Sequence, residues 1–349
     1  MIRAIVLLII ITLFTHINCL YSQDKQDVVI GGFRKCTVYY YTYKFGKLDP
    51  KSKGKNEFYR YDPMGNVIEE IWYYADGSVS SRSTYQFNEK DKIVEKAVYK
   101  DDGTVNSKIN YKYDEKFNVV EILWYNSAGT IESKITNKYD TLGNLIEELK
   151  YQIDETDYWK NTYQFNEKGK LIAAVRYNAD GSVGSKETYK YNEKENLIEE
   201  CSYNVDGSLE SKNAYNYDEN GNIIEKLRFN SDGSFGSKDT YKYDEKGNKI
   251  EEIWYNIDDT IGSKNIYKYD ENGNLTEELW FNANDSVGTM DTFKYDEKGN
   301  KIEEVKYRAD KSLDWRYKYK YDAHGNKIET IVYNSLDEPE TKIEYIYSK

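Results

Sequence analysis

A short motif, Tyr-x-Tyr-Asp and its close variants, recurs through the chain without losing phase. Its second aromatic falls at positions 61, 87, 113, 139, 165, 191, 217, 243, 269, 295, 321 and 347, and every interval is 26 residues. Self-similarity at a period of 20 to 50 residues marks a repeat architecture, in which each unit is one supersecondary element stacked on its neighbours. A 349-residue chain would otherwise be read as two ordinary domains.

Composition narrows the choice. Hydrophobic residues are 39% and Tyr contributes 37 of them, while charged residues reach 32%. That is too little aliphatic side chain for a conventional closed core. Disorder is excluded by the 15% aromatic content, since disordered chains are poor in aromatic and β-branched residues. The net charge of -12 speaks against nucleic acid as a partner, because that role needs a basic surface.

The first residues are set apart. Met1 to Arg3 makes a short positive start, Ala4 to Phe14 is an apolar run too short to span a bilayer, and Ser22-Gln23 suits a cleavage point. Residues 1–22 are expected to be a signal peptide, which implies a secreted, cell-surface or periplasmic protein with no integral membrane span after cleavage. The alternative is a lipoprotein anchored at Cys19. Residues 23–58 are expected to form an irregular N-terminal cap with a Tyr-rich strand from Val38 to Phe45, and residues 59–349 the repeat array. Cys36 and Cys201 lie in distant repeats, so a disulfide between them is not expected.

Each repeat contains two turns of one chemistry. Asp244-Glu-Lys-Gly247 and Asn204-Val-Asp-Gly207 are examples: Asp or Asn at the first position caps a type I turn, and Gly at the fourth supplies positive φ. Such loops join antiparallel neighbours, so the fold class is all-β: a continuous antiparallel meander of 26-residue two-strand units. If pairing runs unbroken from each turn, Tyr241 faces Glu251 and Glu252 faces Lys264. One face then collects Ile253, Tyr255, Ile261, Tyr267 and Tyr269, and the other Glu252, Trp254, Lys264 and Lys268 around Ile250. The same register predicts ion pairs Glu70–Arg82, Glu148–Lys160, Glu200–Lys212, Glu252–Lys264 and Glu304–Arg316, and like-charge contacts Lys96–Lys108 and Lys226–Lys238. A sheet this wide twists and curls, so a long curved or superhelical sheet with the Tyr face inside is expected. Its two terminal strands would be open edges, able to pair between molecules.

The run Tyr-Lys-Tyr-Asp-x-x-Gly-Asn at 241–248 and 267–274 resembles the YD repeat of Rhs and teneurin-type proteins. The resemblance covers residues 59–349. It implies a spiralling β-sheet and a surface location. The spacing here is stricter and longer than in that family, and a toxin domain or self-cleavage segment is not recognisable, so toxin delivery is not implied. A weaker likeness is to MORN-type hairpin arrays.

Catalytic chemistry is not apparent. The two histidines are His16, in the expected signal segment, and His324, in a turn where other repeats carry Lys or Asn. No Ser/His/Asp triad, His/Cys metal spacing or cofactor motif can be assembled. Adjacent pairs such as Glu251-Glu252 point to opposite faces and cannot converge on one substrate. Turns such as Asp218 to Asn222 lack the twelve-residue calcium loop. Trp72, Trp124, Trp254 and Trp280 share one repeat position that elsewhere holds Lys, Arg or Ser, and are the candidate ligand contacts. The expected function is a non-catalytic exported repeat protein that binds a glycan or a surface protein. The alternative is a structural envelope or spacer protein without a specific ligand.

Overall fold

The structure, a computed structural model, describes residues 31–152 and 158–349. The expected signal segment and the Cys19 alternative lie outside the described residues. Twenty-five strands, β1 to β25 in chain order, run antiparallel from neighbour to neighbour. β3 (Gly54–Tyr61) opens the meander and β25 (Pro339–Ser348) ends it; β17 (Phe235–Tyr243), β18 (Lys249–Tyr255) and β19 (Ile261–Tyr269) make a typical stretch. The all-β meander of two-strand units is as the turns predict.

The sheet is not an open superhelix. β1 (Lys35–Lys44) lies between the two ends of the meander and pairs with both. Cys36 faces Tyr347 on one side and Tyr59 on the other. Twenty-four strands thus close into a barrel, and β2 (Lys47–Leu48) folds back on β1 as a short hairpin beyond the wall. The terminal strands expected as open edges for self-association are both occupied by β1.

The register corrects the expected faces. Each loop begins as the turn chemistry dictates: the Asp244 amide donates to the Asn248 carbonyl, the Gly247 amide to the Asp244 carbonyl, and Gly247 has φ +83. The first pair, Tyr243 with Lys249, is as expected. The ladder then slips: Lys242 faces Glu251 and Tyr241 faces Glu252, leaving Ile250 as an extra residue. The other end behaves alike, with Tyr255 facing Ile261 but Trp254 facing Ser263, and Gly262 left over. The repeats therefore carry two β-bulges each, except that β10 (Leu145–Gln152) and β11 (Tyr158–Phe165) pair without one, and a one-residue slip moves a strand's side chains to the other face. The phenols do not share a face. Tyr267 lies with Glu252, Trp254 and Asn265; Ile253 and Tyr255 lie with Glu251, Lys242 and Lys264.

The bulges also account for closure, since each bends its strand and adds twist. A row perpendicular to the strands runs from Asp239 through Trp254 to Ser263, two residues short of a full repeat. The closing row behaves the same way: Tyr347 holds the repeat position of Tyr61, yet connects through Cys36 to Tyr59. This constant slip corresponds to a strand tilt of about 35° and a backbone diameter of roughly 45 Å. Equivalent positions in successive repeats then form rings at fixed heights, with one turn type on each rim.

Burial tells the faces apart. The side with Tyr267 and Glu252 contains long polar groups that are almost wholly covered, such as Glu148 (3% exposed) and Asp239 (5%), whereas the groups covered on the other side are mostly short, as at Ala97, Cys201 and Val305, with Glu69 a long exception. On the other side the lysines equivalent to Lys242 stand in solvent. Side chains converge inside a barrel and diverge outside it, so the Tyr267 side is the inner face.

The outer face is an ion-pair lattice. Glu121 is held by Lys112 and Lys134, both at 2.5 Å, Glu147 by Lys138 and Lys160 at 2.6 and 2.7 Å, and Glu199 by Lys190 and Lys212 at 2.5 Å. The register expected from the turns pairs the second glutamates, but the observed one delivers the first: Arg82 reaches Glu69, not Glu70, beside a bulge, and Lys160 reaches Glu147, not Glu148, in the hairpin that pairs without one. Lys264 and Arg316 go instead to Asp285 and Asp337. The expected Lys96–Lys108 repulsion is absent because Lys108 is outside, paired with Glu95, while Lys96 is inside over the Tyr85 ring. These outer cations also cover the aromatic ring: Lys238 lies 4.6 Å from Tyr255 and Arg316 4.2 Å from Tyr333. In double-mutant cycles Lys160 is expected to couple to Glu147 by about 0.5 kcal/mol and to Glu148 by about zero; the reverse order would restore the unbulged register.

Candidate functional site

The inner face is built from recurring polar and aromatic rings. The tyrosines equivalent to Tyr269 donate their hydroxyls to a main-chain carbonyl twenty residues earlier: Tyr113 to Ile93 (2.7 Å), Tyr139 to Val119 (2.8 Å), Tyr217 to Leu197 (2.6 Å) and Tyr269 to Lys249 (2.9 Å). The accepting residue is next to the bulge, where the ladder is interrupted and a carbonyl needs another donor. Burial pushes the Tyr113 and Tyr139 hydroxyls up to about 12, so both stay neutral donors.

The tyrosines equivalent to Tyr267 serve the inner carboxylates instead. Tyr85 donates to Glu70 and Tyr215 to Glu200, both at 3.0 Å, and Tyr267 to Glu252 at 3.2 Å. Lys249 adds an ion pair to Glu252 at 2.6 Å. Other carboxylates have weaker support. Glu148 accepts from Asn161 at 3.2 Å, and Glu278 faces Asp291 directly across the strands. Burial raises the pKa of Glu148 and Glu187, and burial followed by the charge of Asp291 raises that of Glu278.

Toward the second-turn rim the four predicted tryptophans occupy one inner ring. Trp254 and Trp280 each press the Cε3–Cζ3 edge of the indole against a glycine. A Cβ on Gly262 would fall 2.0 Å from Cε3 of Trp254, and one on Gly288 the same distance from Cε3 of Trp280. These glycines need no unusual backbone; they leave room for a ring to rest on the bulge. Trp72, opposite Ser81, bonds its indole nitrogen to Glu70, and Trp124 faces Ile109 and Ser133. About two-fifths of the surface of Trp72, Trp254 and Trp280 remains exposed.

Two further tryptophans belong to the same band. Trp159 pairs with Lys150, and Trp315 with Lys306. They sit one strand over, at the Ser263 position, which adjoins the Trp254 position only once the bulge is counted. All six tryptophans of the chain are therefore inside, in two adjoining rings. Cations are interleaved: Lys150 and Arg176 approach the Trp159 ring at 6.0 and 5.5 Å, and Arg228 clamps Asp239 with both terminal nitrogens.

The remaining candidates are structural in placement. His324 stands on the first-turn rim, edge-on to Phe33 at 6.1 Å. The aspartates that open the first turns are consumed by their own loops: Asp244 accepts from the amides of Lys246 and Asn248 and from the Asn248 side chain. Cys36 and Cys201 are buried free thiols, and burial pushes Cys36 up to about 12. Among the described residues no group of three or more His, Cys, Asp or Glu could hold a metal ion.

No family model matches the chain, and no curated protein matches it. Solved structures similar to it include the Photorhabdus luminescens Tc holotoxin pore, 12% identical over 86% of this chain and 20% of that one, with a TM-score of 0.30. The TcdB2–TccC3 structure without its hypervariable C-terminal region is 12% identical over 84% and 19%, with a TM-score of 0.28. A porin-like protein from Bacteroides uniformis is 11% identical over 91% and 98%, with a TM-score of 0.23. The chain spans about a fifth of the length of the Tc chains. At these TM-scores the folds do not superpose, and no family follows from them.

The inner carboxylates give the site a pH signature. An acid whose pKa is raised on folding costs stability above that pKa, and the cost disappears as pH falls. Glu148→Gln is therefore expected to stabilise the barrel by about 1 kcal/mol at pH 7, with the gain over wild type vanishing below about pH 4 in thermal melts. Loss of stability at pH 7 would mean that the charge is needed.

Proposed function

We propose that this chain is a non-catalytic, exported binding protein that takes a glycan on the tryptophan band inside the barrel. The observation that carries the reading is Trp254 and Trp280, each set edge-first against a glycine and each about two-fifths exposed on the inner wall. They occupy equivalent places in successive repeats, two strands or roughly 10 Å apart, about the span of a disaccharide. Aromatic platforms flanked by carboxylates, amides and hydroxyls suit a sugar ring, which has an apolar face and a polar rim. Ser263, Asn265 and Thr289 supply the polar partners beside them.

A lipid-embedded barrel is a poor alternative. Glu251 with Lys242, and Glu121 with Lys112 and Lys134, put charges midway along the outer face. Cations there would cost about 2–4 kcal/mol each at a bilayer midplane. An aqueous setting outside the cytoplasm agrees with the apolar N-terminal run.

The test is a glycan array probed with the purified protein, followed by titration of tryptophan emission. Trp254→Ala and Trp280→Ala are each expected to weaken the best oligosaccharide about tenfold, or roughly 1.4 kcal/mol, with the melting curve little changed. Absence of any glycan ligand, or unaltered affinity in the double variant, would overturn the reading.

A further inference from the structure

A second surface lies at the hairpin that leaves the wall. β1 runs past its last partner on β25, turns at Phe45-Gly46 and returns as β2. Phe45 has φ +52 and Gly46 φ +70, a two-residue loop in which both positions are left-handed. Asn-Gly is the favoured occupant of such a loop; a bulky side chain there is a backbone outlier. Phe45 is also fully exposed (104%), so no packing offsets the strain. Folding gives no reason for phenylalanine at this tip.

The surroundings are basic on an acidic protein. Residues 44–55 hold five lysines (Lys44, Lys47, Lys51, Lys53 and Lys55) against Asp49 alone, although the whole chain carries -12. Lys44 pairs with Asp49 at 2.8 Å, Lys53 lies over Tyr39, and Lys55 reaches the Tyr73 hydroxyl. Lys47 adjoins the tip and Lys51 lies behind it in the short turn 50–52, and among the described residues neither ammonium is in an ion pair. The loops on either side, 74–78 and 334–338, bring exposed Tyr74 and Leu336 to the same rim. Of their acidic groups, Asp76 accepts from Ser78 and Asp337 is held by Arg316, while Glu338 is exposed.

We propose that this hairpin docks the barrel on an anionic phospholipid surface, with Phe45 entering the headgroup–acyl boundary and the unpaired Lys47 and Lys51 meeting the phosphates. An apolar tip ringed by lysine matches that boundary, where hydrocarbon lies beneath negative charge. A soluble polyanion would satisfy the lysines and leave the ring in water. The contact is peripheral and reversible, since one ring and a few lysines are a weak anchor.

The experiment is co-sedimentation of the full chain with vesicles of phosphatidylcholine alone or with added phosphatidylglycerol. Binding is expected with the anionic vesicles, falling as salt is raised. Phe45→Asn separates this role from a structural one. It is expected to raise the melting temperature by relieving the loop, and to cut vesicle binding at least fivefold. Lys47→Glu is expected to reduce binding with no change in melting. No preference for anionic vesicles, undiminished binding by Phe45→Asn, or destabilisation by that variant would each overturn the proposal, as would retention of a soluble acidic protein in place of lipid.

Discussion

One unpaired residue beside the turns of the meander, repeated in all but the β10–β11 hairpin, governs this structure. Ile250 and Gly262 mark the two places in a typical repeat, and the same slip recurs around the barrel. A bulge costs local pairing, and the chain recovers part of that cost with a tyrosine hydroxyl on the neighbouring carbonyl, as from Tyr269 to Lys249. In return the strand bends in the same sense at each bulge. The bend accumulates until the ends of the meander come within reach of a single strand, and β1 fills the gap with the same two-residue step. Closure then removes the exposed edges that a long meander would otherwise present.

The two faces do different work in the same fold. Outside, a glutamate between two cations and a cation over an aromatic ring repeat at fixed heights, a solvated lattice whose individual links are weak and whose number is large. Inside, tyrosine hydroxyls, buried carboxylates and tryptophans face a lumen whose walls are too far apart to fill it with side chains. Inner carboxylates such as Glu148 oppose folding at neutral pH, whereas outer ones such as Glu147, paired with Lys138 and Lys160, favour it. Polar groups held inside at that cost are placed for something other than stability, and the tryptophan band lies two residues further along the same strands.

Much of the fold is legible in the sequence. The invariant spacing predicts the meander, and the Asp-x-x-Gly and Asn-x-Asp-Gly turns predict antiparallel hairpins with left-handed glycine. Parity is where the turn chemistry misleads, although a signal is there: Ile250-Glu-Glu-Ile253 breaks strict alternation, with two carboxylates where one face would allow only one. Gly262 and Gly288 are a second signal, since glycine inside a strand marks a bulge or a close approach. Without the bulge, Trp159 and Trp315 fall on the wrong face, which is why repeat position alone groups only four of the six tryptophans. Closure itself depends on β1, which carries no repeat motif, and on a tilt that emerges only when the slip is counted around the ring.

The direct test of closure is the distance between the two ends of the meander. Arg60 and Ser348 are exposed and both face Lys35, while the native Cys36 and Cys201 are buried and should resist labelling. Spin labels on Arg60→Cys and Ser348→Cys should report a single narrow distance in pulsed dipolar spectroscopy, with backbones about 10 Å apart. A distance of several tens of ångströms, or a broad distribution, would mean that the sheet is open and that the bulges do not curve the wall into a ring.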